Sequence, residues 1–491
     1  MSAPAYSRTR PCRSHEVPNW DAETEVAIVG FGAAGACAAI EAARAGASVT
    51  LIEATSGSGG TSALSGGEIY VGGSGGTLQQ RTAGFSDDTA DLIRYLMMAG
   101  GPDADAAKVR LYAEHSLAHF EWLQAQGLVY KNSYVAQRIV EPFTDDCLIW
   151  SGSEEAWPYR ETAKPCPRGH TPQWMGLGGG KLLMDTLAQR VAELPIEPRY
   201  DTRAQALVVD ERGHVCGLVL RRDGTDTFLR VSKGVVLCAG GYIMNKALIR
   251  QHAPHLERAN MPIGTVDDGS GIQLGQSVGG HAIHMSEGFV TLPWYPPEQL
   301  IKGIFINERG QRFVNEDGYH GRTAQHILQQ AGTRFWLLLD NQIYAEPEFG
   351  QFAKITIGAV GETWDEVERE LDLAAGSLTS TVAVYNRHAA QGSDPLFHKQ
   401  PKWLQPLVQP PFVALDCRID HAVYFSFTLG GLDTLPTGEV LDAARQPITG
   451  LYAAGRTACG LPRWGAGYSS GMSLADATYF GRQAGMRVAA A

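Results

Sequence analysis

The sequence predicts an α/β fold, and three observations carry that prediction. Val26–Val29 is a short, unbroken apolar run, the mark of a strand buried on both faces. Gly30, Gly32 and Gly35 follow at once at G-x-G-x-x-G spacing, and Ala33–Ala45 then has strong helix propensity. A second strand, Ser48–Ile52, ends on Glu53. Strand, glycine turn, helix, strand and acid in this order form a Rossmann-like βαβ unit for a dinucleotide. Gly30 permits the tight turn, Gly32 lets the backbone approach a pyrophosphate, and Gly35 lets helix pack on strand. Ala33 and Ala34 open the helix whose free N–H groups face that anion, and Glu53 stands where a ribose needs an acceptor.

At 491 residues the chain exceeds one ordinary core, so two or three domains are expected. A net charge of −11 argues against a nucleic-acid partner, which would need a basic face. The eight cysteines form no C-x-x-C and no zinc spacing, so no metal is expected and a reduced, cytoplasmic setting is the default. Residues 1–20 have no apolar h-region, so no signal peptide is expected. No apolar run reaches the ~18 residues that a membrane span needs.

Gly57–Gly76 (GSGGTSALSGGEIYVGGSGG) is too glycine-rich for an element interior. It is either a Gly/Ser spacer or a loop laid along a flavin, and Ala63-Leu64 and Ile69-Tyr70-Val71, which want burial, favour the loop. Asp88–Gln126 shows helical periodicity, and its His115 and His119 stand four apart, with no third ligand to make a metal site. Asn132–Pro172 is irregular but rich in Trp, Tyr and Pro, which predicts a pocket wall. Gly176–Gly180 opens a helix and is expected to face the cofactor. Ala206–Val209 and Val215–Leu220 form a hairpin leading to a strand at Val235–Leu237, which turns at Cys238-Ala239-Gly240-Gly241. Helical stretches at Trp364–Leu373 and Leu378–Ala390 lie in a region without the strand–glycine–helix rhythm.

The βαβ unit followed by Gly59-Gly60-Thr61-Ser62-Ala63-Leu64-Ser65-Gly66-Gly67 resembles the fumarate reductase/succinate dehydrogenase flavoprotein family, which binds FAD. The resemblance implies a Rossmann-like FAD-binding domain with an inserted α+β cap. It implies an N-terminal extension over 1–23, an FAD-binding domain over 24–280 and 421–491, and the cap over 281–420. In the family Gly60, Thr61, Ser62, Ser65, Gly66 and Gly67, then Ala206, Ala239, Gly240, Gly455, Ser473 and Leu474, fall on the flavin path. A histidine that carries the flavin covalently in respiratory members aligns with Gly60, which implies non-covalent FAD. Gly465–Ala477 implies a helix N-terminus at the pyrimidine edge of the ring.

Dicarboxylate members of that family hold their substrate with histidines and arginines, and these are missing here. The R-x-G-G-N arginine aligns with Tyr468, and H-H-T-M-G-G becomes Ser426-Phe427-Thr428-Leu429-Gly430-Gly431. The cap motif Arg312-Phe313-Val314-Asn315-Glu316 runs into Asp317-Gly318-Tyr319-His320, with Arg322 out of step. With N-E-D-G-Y-H-G in the cap and G-Y-S-S-G at the flavin, the chain resembles the 3-ketosteroid dehydrogenases, within them the Δ4-(5α) type. That implies a steroid substrate, an electron acceptor the sequence does not identify, and Tyr468, Tyr319 and Ser470 as catalytic residues. Tyr468 would remove the C4 proton while the other two tune it or polarise the carbonyl, in proportions left open; His320 is a rival acid/base. The alternatives are a Δ1-dehydrogenase, whose members usually carry another tyrosine in the early helical region, a reductase of another activated alkene, and a flavoprotein subunit that only passes electrons on.

Overall fold

The computed structural model describes residues 6–491, and residues 1–5 of the expected extension lie outside the described residues. Ala22–Val29 lies inside a nine-stranded sheet. It pairs in parallel with Val49–Ile52 on one side, and Ile196–Arg199 pairs in parallel beyond that strand. On the other side it pairs in parallel with Thr225–Leu237. Alternation along the run explains why it is apolar throughout. Val26 and Ile28 join the cluster that holds the helices Ala33–Arg44 and Met472–Ala489, while Ala27 and Val29 enter the cluster on the opposite face.

The hairpin Arg203–Val209/Val215–Arg222 forms as the sequence implies. The next strand is longer than expected: it begins at Thr225, after a second turn at Asp223 (φ 51°) and Gly224 (φ 78°), and reaches Leu237. Positive φ at both turn residues matches the twist of a tight hairpin. Its C-terminal end pairs with Leu451–Ala453 in parallel.

Helix Met472–Ala489 crosses helix Ala33–Arg44 at backbone contact. A methyl group on Gly481 or Gly485 would lie 2.4 or 2.3 Å from the carbonyl oxygens of Ala34 and Ala38.

A separate antiparallel sheet has the order Ile304–Asn307, Phe335–Asp340, Phe412–Asp416, Thr356–Gly361, and helices Trp364–Glu370 and Ser377–Ala389 accompany it. This is the α+β substructure inserted into the α/β fold. A small sheet sets Gly288–Thr291 beside Phe425–Thr428, so that Phe289 and Phe427 are directly opposed.

Among the described residues, no helix is long and apolar enough to cross a membrane.

Candidate active site

A cavity of about 280 Å³ opens along the C-terminal edge of the parallel strands, where open α/β sheets bind ligands. One end is built from backbone. Gly30 has φ 106°, and a Cβ there would sit 2.3 Å from the Cys238 carbonyl oxygen, so only glycine lets the two strand ends meet. Gly35 does not line the cavity; its missing side chain lets the helix lie on the Gly30 carbonyl. The first helix has no side-chain cap at Gly32, so its leading N–H groups remain for an anion, apart from Ala33 N–H, which donates to Ser62 Oγ at 3.2 Å. Glu53 accepts from Phe31 N–H, Thr55 N–H and Thr55 Oγ1, each at 2.8 Å. Gly60, Thr61, Ser62, Ser65, Gly66, Ala239, Gly240, Gly455, Ser473 and Leu474 also line this cavity. This cradle fits FAD: it offers uncapped amides for a diphosphate and a carboxylate at the end of the second strand.

Five expectations need correction. Ala206 lies on the far side of the sheet, packed with Cys12, Val208 and Phe228; two residues earlier, past a bulge, Ala204 lines the cavity instead. Gly67 and Gly176–Gly180 stand behind the flavin loop and not in its wall, and Gly180 N–H donates to the Ser65 carbonyl at 2.8 Å. The aromatic segment 132–172 contributes no cavity wall: Trp150 packs on Phe85, Trp157 on His398 and Tyr159 on Tyr95. His320 is buried outside the cavity with Nδ1 on Thr291, and burial lowers it to about 3.

The other end of the cavity is built from side chains. Tyr468 follows a short turn, Gly465–Gly467, and donates its hydroxyl to Ser473 Oγ at 3.1 Å. Its ring packs on Phe289, centroids 4.3 Å apart, and Tyr319 stacks on the same Phe289 at 6.1 Å. Tyr319 precedes helix His320–Gln329 and is held by Ser153 Oγ, which accepts its N–H at 3.1 Å. Ser470 donates its backbone N–H to the Ser151 carbonyl at 2.8 Å, and it lines the cavity with both tyrosines.

The two phenols differ. Burial pushes Tyr468 up to about 12, with the Ser473 side chain and N–H acting against it. Burial, then Tyr468 and Glu68, hold Tyr319 well above its usual value, opposed only by Ser470.

The arginines of the cavity wall are committed. Arg8 and Arg203 pair with Asp268 at 2.8 and 3.7 Å, and Arg456 pairs with Asp267 at 3.1 Å. Arg312 is spent on Glu316 at 2.7 Å and Asp394 at 2.9 Å, holding the loop before Tyr319, and Arg322 lies over the Tyr159 ring. His119 is a core residue bonded to Thr478 at 2.8 Å, and His115 faces its own helix at Leu111.

Sequence reasoning missed Glu68. It lines the cavity beside Tyr319, Tyr468 and Ser470, is 3 % exposed, and neither carboxyl oxygen has a hydrogen-bond partner. Burial is the first cause that raises it to about 8, with Ser470 and Ser151 opposing and Glu141 and Glu154 adding to the rise. The signal was there to find: Glu68 is the one charged residue in Gly57–Gly76.

Comparison with known proteins agrees with this geometry. A family model described as an FAD binding domain matches residues 25–472. The solved 3-ketosteroid-Δ4-(5α)-dehydrogenase of Rhodococcus jostii RHA1, in complex with 4-androstene-3,17-dione, is 41 % identical with TM-score 0.92, covering 98 % of this chain and 99 % of that one. A 3-oxo-5α-steroid 4-dehydrogenase of Comamonas testosteroni is 26 % identical over 89 % of this chain and 93 % of its own. A probable fumarate reductase of Shewanella frigidimarina is 28 % identical over 94 % of this chain and 74 % of its own. The chain therefore belongs to the fumarate reductase/succinate dehydrogenase-type FAD flavoprotein family and is an FAD-dependent oxidoreductase.

Proposed function

We propose that this oxidoreductase is a 3-ketosteroid dehydrogenase that introduces the C4–C5 double bond into 3-oxo-5α-steroids. The observation that carries the proposal is the end-to-end likeness to the Rhodococcus jostii enzyme, and the site's chemistry supports it. A 3-keto group acidifies the neighbouring C4–H, so the protein must supply a base there and hydroxyl donors for the charge that develops. Tyr468 is the base that the resemblance implies: its hydroxyl is held by Ser473, in the first turn of helix Met472–Ala489, and the Ser473 side chain and N–H favour its ionised form. Tyr319 and Ser470 keep their protons and assist it. Phe289 and Phe427 offer an apolar wall suited to the body of a steroid. FAD held by the Gly30–Gly32 turn, the first helix and Glu53 would supply the oxidant for the C5 hydride. Gly60 carries no side chain to bond the flavin covalently, which supports non-covalent FAD.

The cavity wall favours Δ4 over Δ1 chemistry. No residue between Glu68 and Thr202 lines it, so the early helices bring no third tyrosine: Tyr95 bonds Ser469 at 2.7 Å and Tyr112 donates to the Tyr70 carbonyl at 2.5 Å.

The experiment is anaerobic mixing of the yellow protein with 5α-androstane-3,17-dione, followed by flavin absorbance and product identification. Bleaching with a 4-ene-3-one product is expected. A 1-ene product would overturn the regiochemistry, and an unbleached flavin would overturn the steroid reading.

A further inference from the structure

The segment ahead of Ala22 lies outside residues 25–472, which match the FAD-binding model, yet it supplies one side chain to the cavity wall, that of Arg8. Two anchors hold this segment against the far side of the large sheet. The Tyr6 ring meets Phe228 edge-on, centroids 5.6 Å apart. Cys12–Arg13 adds a strand in parallel to Arg203–Val209, with Cys12 opposite Val208 and buried beside Ala206 and Phe228. Between the anchors the chain turns back on itself, Arg10 N–H donating to the Ser7 carbonyl at 3.2 Å, and Arg8 stands at the tip of that turn.

A chain of contacts running from Glu53 fixes the place that Arg8 reaches. Thr202 N–H donates to the Glu53 carbonyl at 2.9 Å, and Arg203 follows directly. Arg203 and Arg8 then share the Asp268 carboxylate, at 3.7 and 2.8 Å. With the diphosphate on the helix amides and the ribose on Glu53, the next stretch of wall, Thr202–Ala204 with Arg8, is left for the adenine.

The chemistry of Arg8 suits that neighbour. Its pair with Asp268 uses a single nitrogen, and among the described residues its other N–H groups have no partner. A guanidinium is planar and weakly hydrated, so it can lie against a purine and also donate to its ring nitrogens. Asp268 is itself fixed by Ser270 N–H at 3.0 Å. The cation is therefore set in place before a cofactor arrives, and little side-chain freedom is lost on binding.

We propose that Arg8 is a cofactor-binding residue: the N-terminal segment straps across the adenosine end of the FAD site, and the Arg8 guanidinium, steered by Asp268, holds the adenine. Its role is retention of the cofactor, whatever substrate the flavin then oxidises.

The test compares wild type with Arg8→Ala and with a control on the same turn, Arg10→Ala, whose side chain pairs with Glu16 at 3.2 Å and stays out of the cavity wall. Flavin release from diluted holoenzyme, followed by fluorescence, should be about tenfold faster in Arg8→Ala and unaltered in Arg10→Ala. ADP, which carries the adenosine half alone, should bind flavin-free Arg8→Ala about tenfold more weakly than wild type, while riboflavin binds both equally. The thermal midpoint of the flavin-free protein should not move, because a partly exposed ion pair contributes little to stability. Should Arg8→Ala fail to fold, Arg8→Gln carries the same comparison. Unchanged ADP affinity overturns the proposal. So does equal weakening for riboflavin or in Arg10→Ala, since either assigns the effect to the folding of the strap and not to a contact with adenine.

Discussion

The two ends of the cavity are made of different material. At the dinucleotide end the contacts are backbone amides and carbonyls, set by Gly30, Gly32 and Gly35 within six consecutive residues and completed by Glu53 one strand later. At the other end they are side chains gathered from Glu68, Phe289, Tyr319, Phe427, Tyr468 and Ser470, spread over 403 residues from first to last. A backbone-built site tolerates change in side-chain identity wherever the path of the chain survives. A side-chain-built site tolerates changes in chain path but hardly any in identity. This is how a family keeps one cofactor while changing substrates.

Substitutions at each end should therefore fail differently. Tyr468→Phe removes one oxygen from the side-chain end: kcat should fall about 1,000-fold, equivalent to about 4 kcal/mol, with flavin content and thermal midpoint unchanged. Near-normal turnover in that variant would move the base elsewhere. Gly30→Ala acts on chain path. Its methyl group would meet the Cys238 carbonyl at 2.3 Å in a backbone conformation that disfavours side chains, costing about 3 kcal/mol. The protein should purify largely colourless with a lowered thermal midpoint, and full flavin content with intact stability would refute the backbone account. The smallest effect belongs to Glu53→Gln. The amide can still accept from Thr55 but sets a donor against Phe31 N–H, about 1.5 kcal/mol. Flavin released by acid and titrated back should bind roughly tenfold more weakly, with kcat on the fully loaded enzyme unaltered. A drop in kcat would show that the two ends are not independent.

This contrast also explains what could be read from the sequence. The turn at Gly30, the helix after it and Glu53 were legible because their roles are local, with spacing that encodes geometry. Tyr468 and Tyr319 were legible only through resemblance, since nothing near either in sequence says that both rest on Phe289. Ala206 was misplaced because a bulge between Ala204 and Ala206 shifts which residue faces the cavity. The aromatic segment 132–172 was misjudged because aromatic area says only that burial occurs, and Phe85, Tyr95 and His398, which receive it, are remote in sequence. Glu68 escaped because a single carboxylate among glycines has no period to betray it.

The backbone crossing at Gly481 and Gly485 has a bearing on how the protein is made. Helix Ala33–Arg44 presents the anion-binding amides, but the helix that covers it and brings Ser473 and Leu474 to the same cavity emerges more than 400 residues later in translation. Until it does, the nascent chain holds half a cradle, with its apolar helix face exposed. Capture of the flavin waits for that helix, and nascent-chain survival depends on whatever shields the first βαβ unit until it arrives.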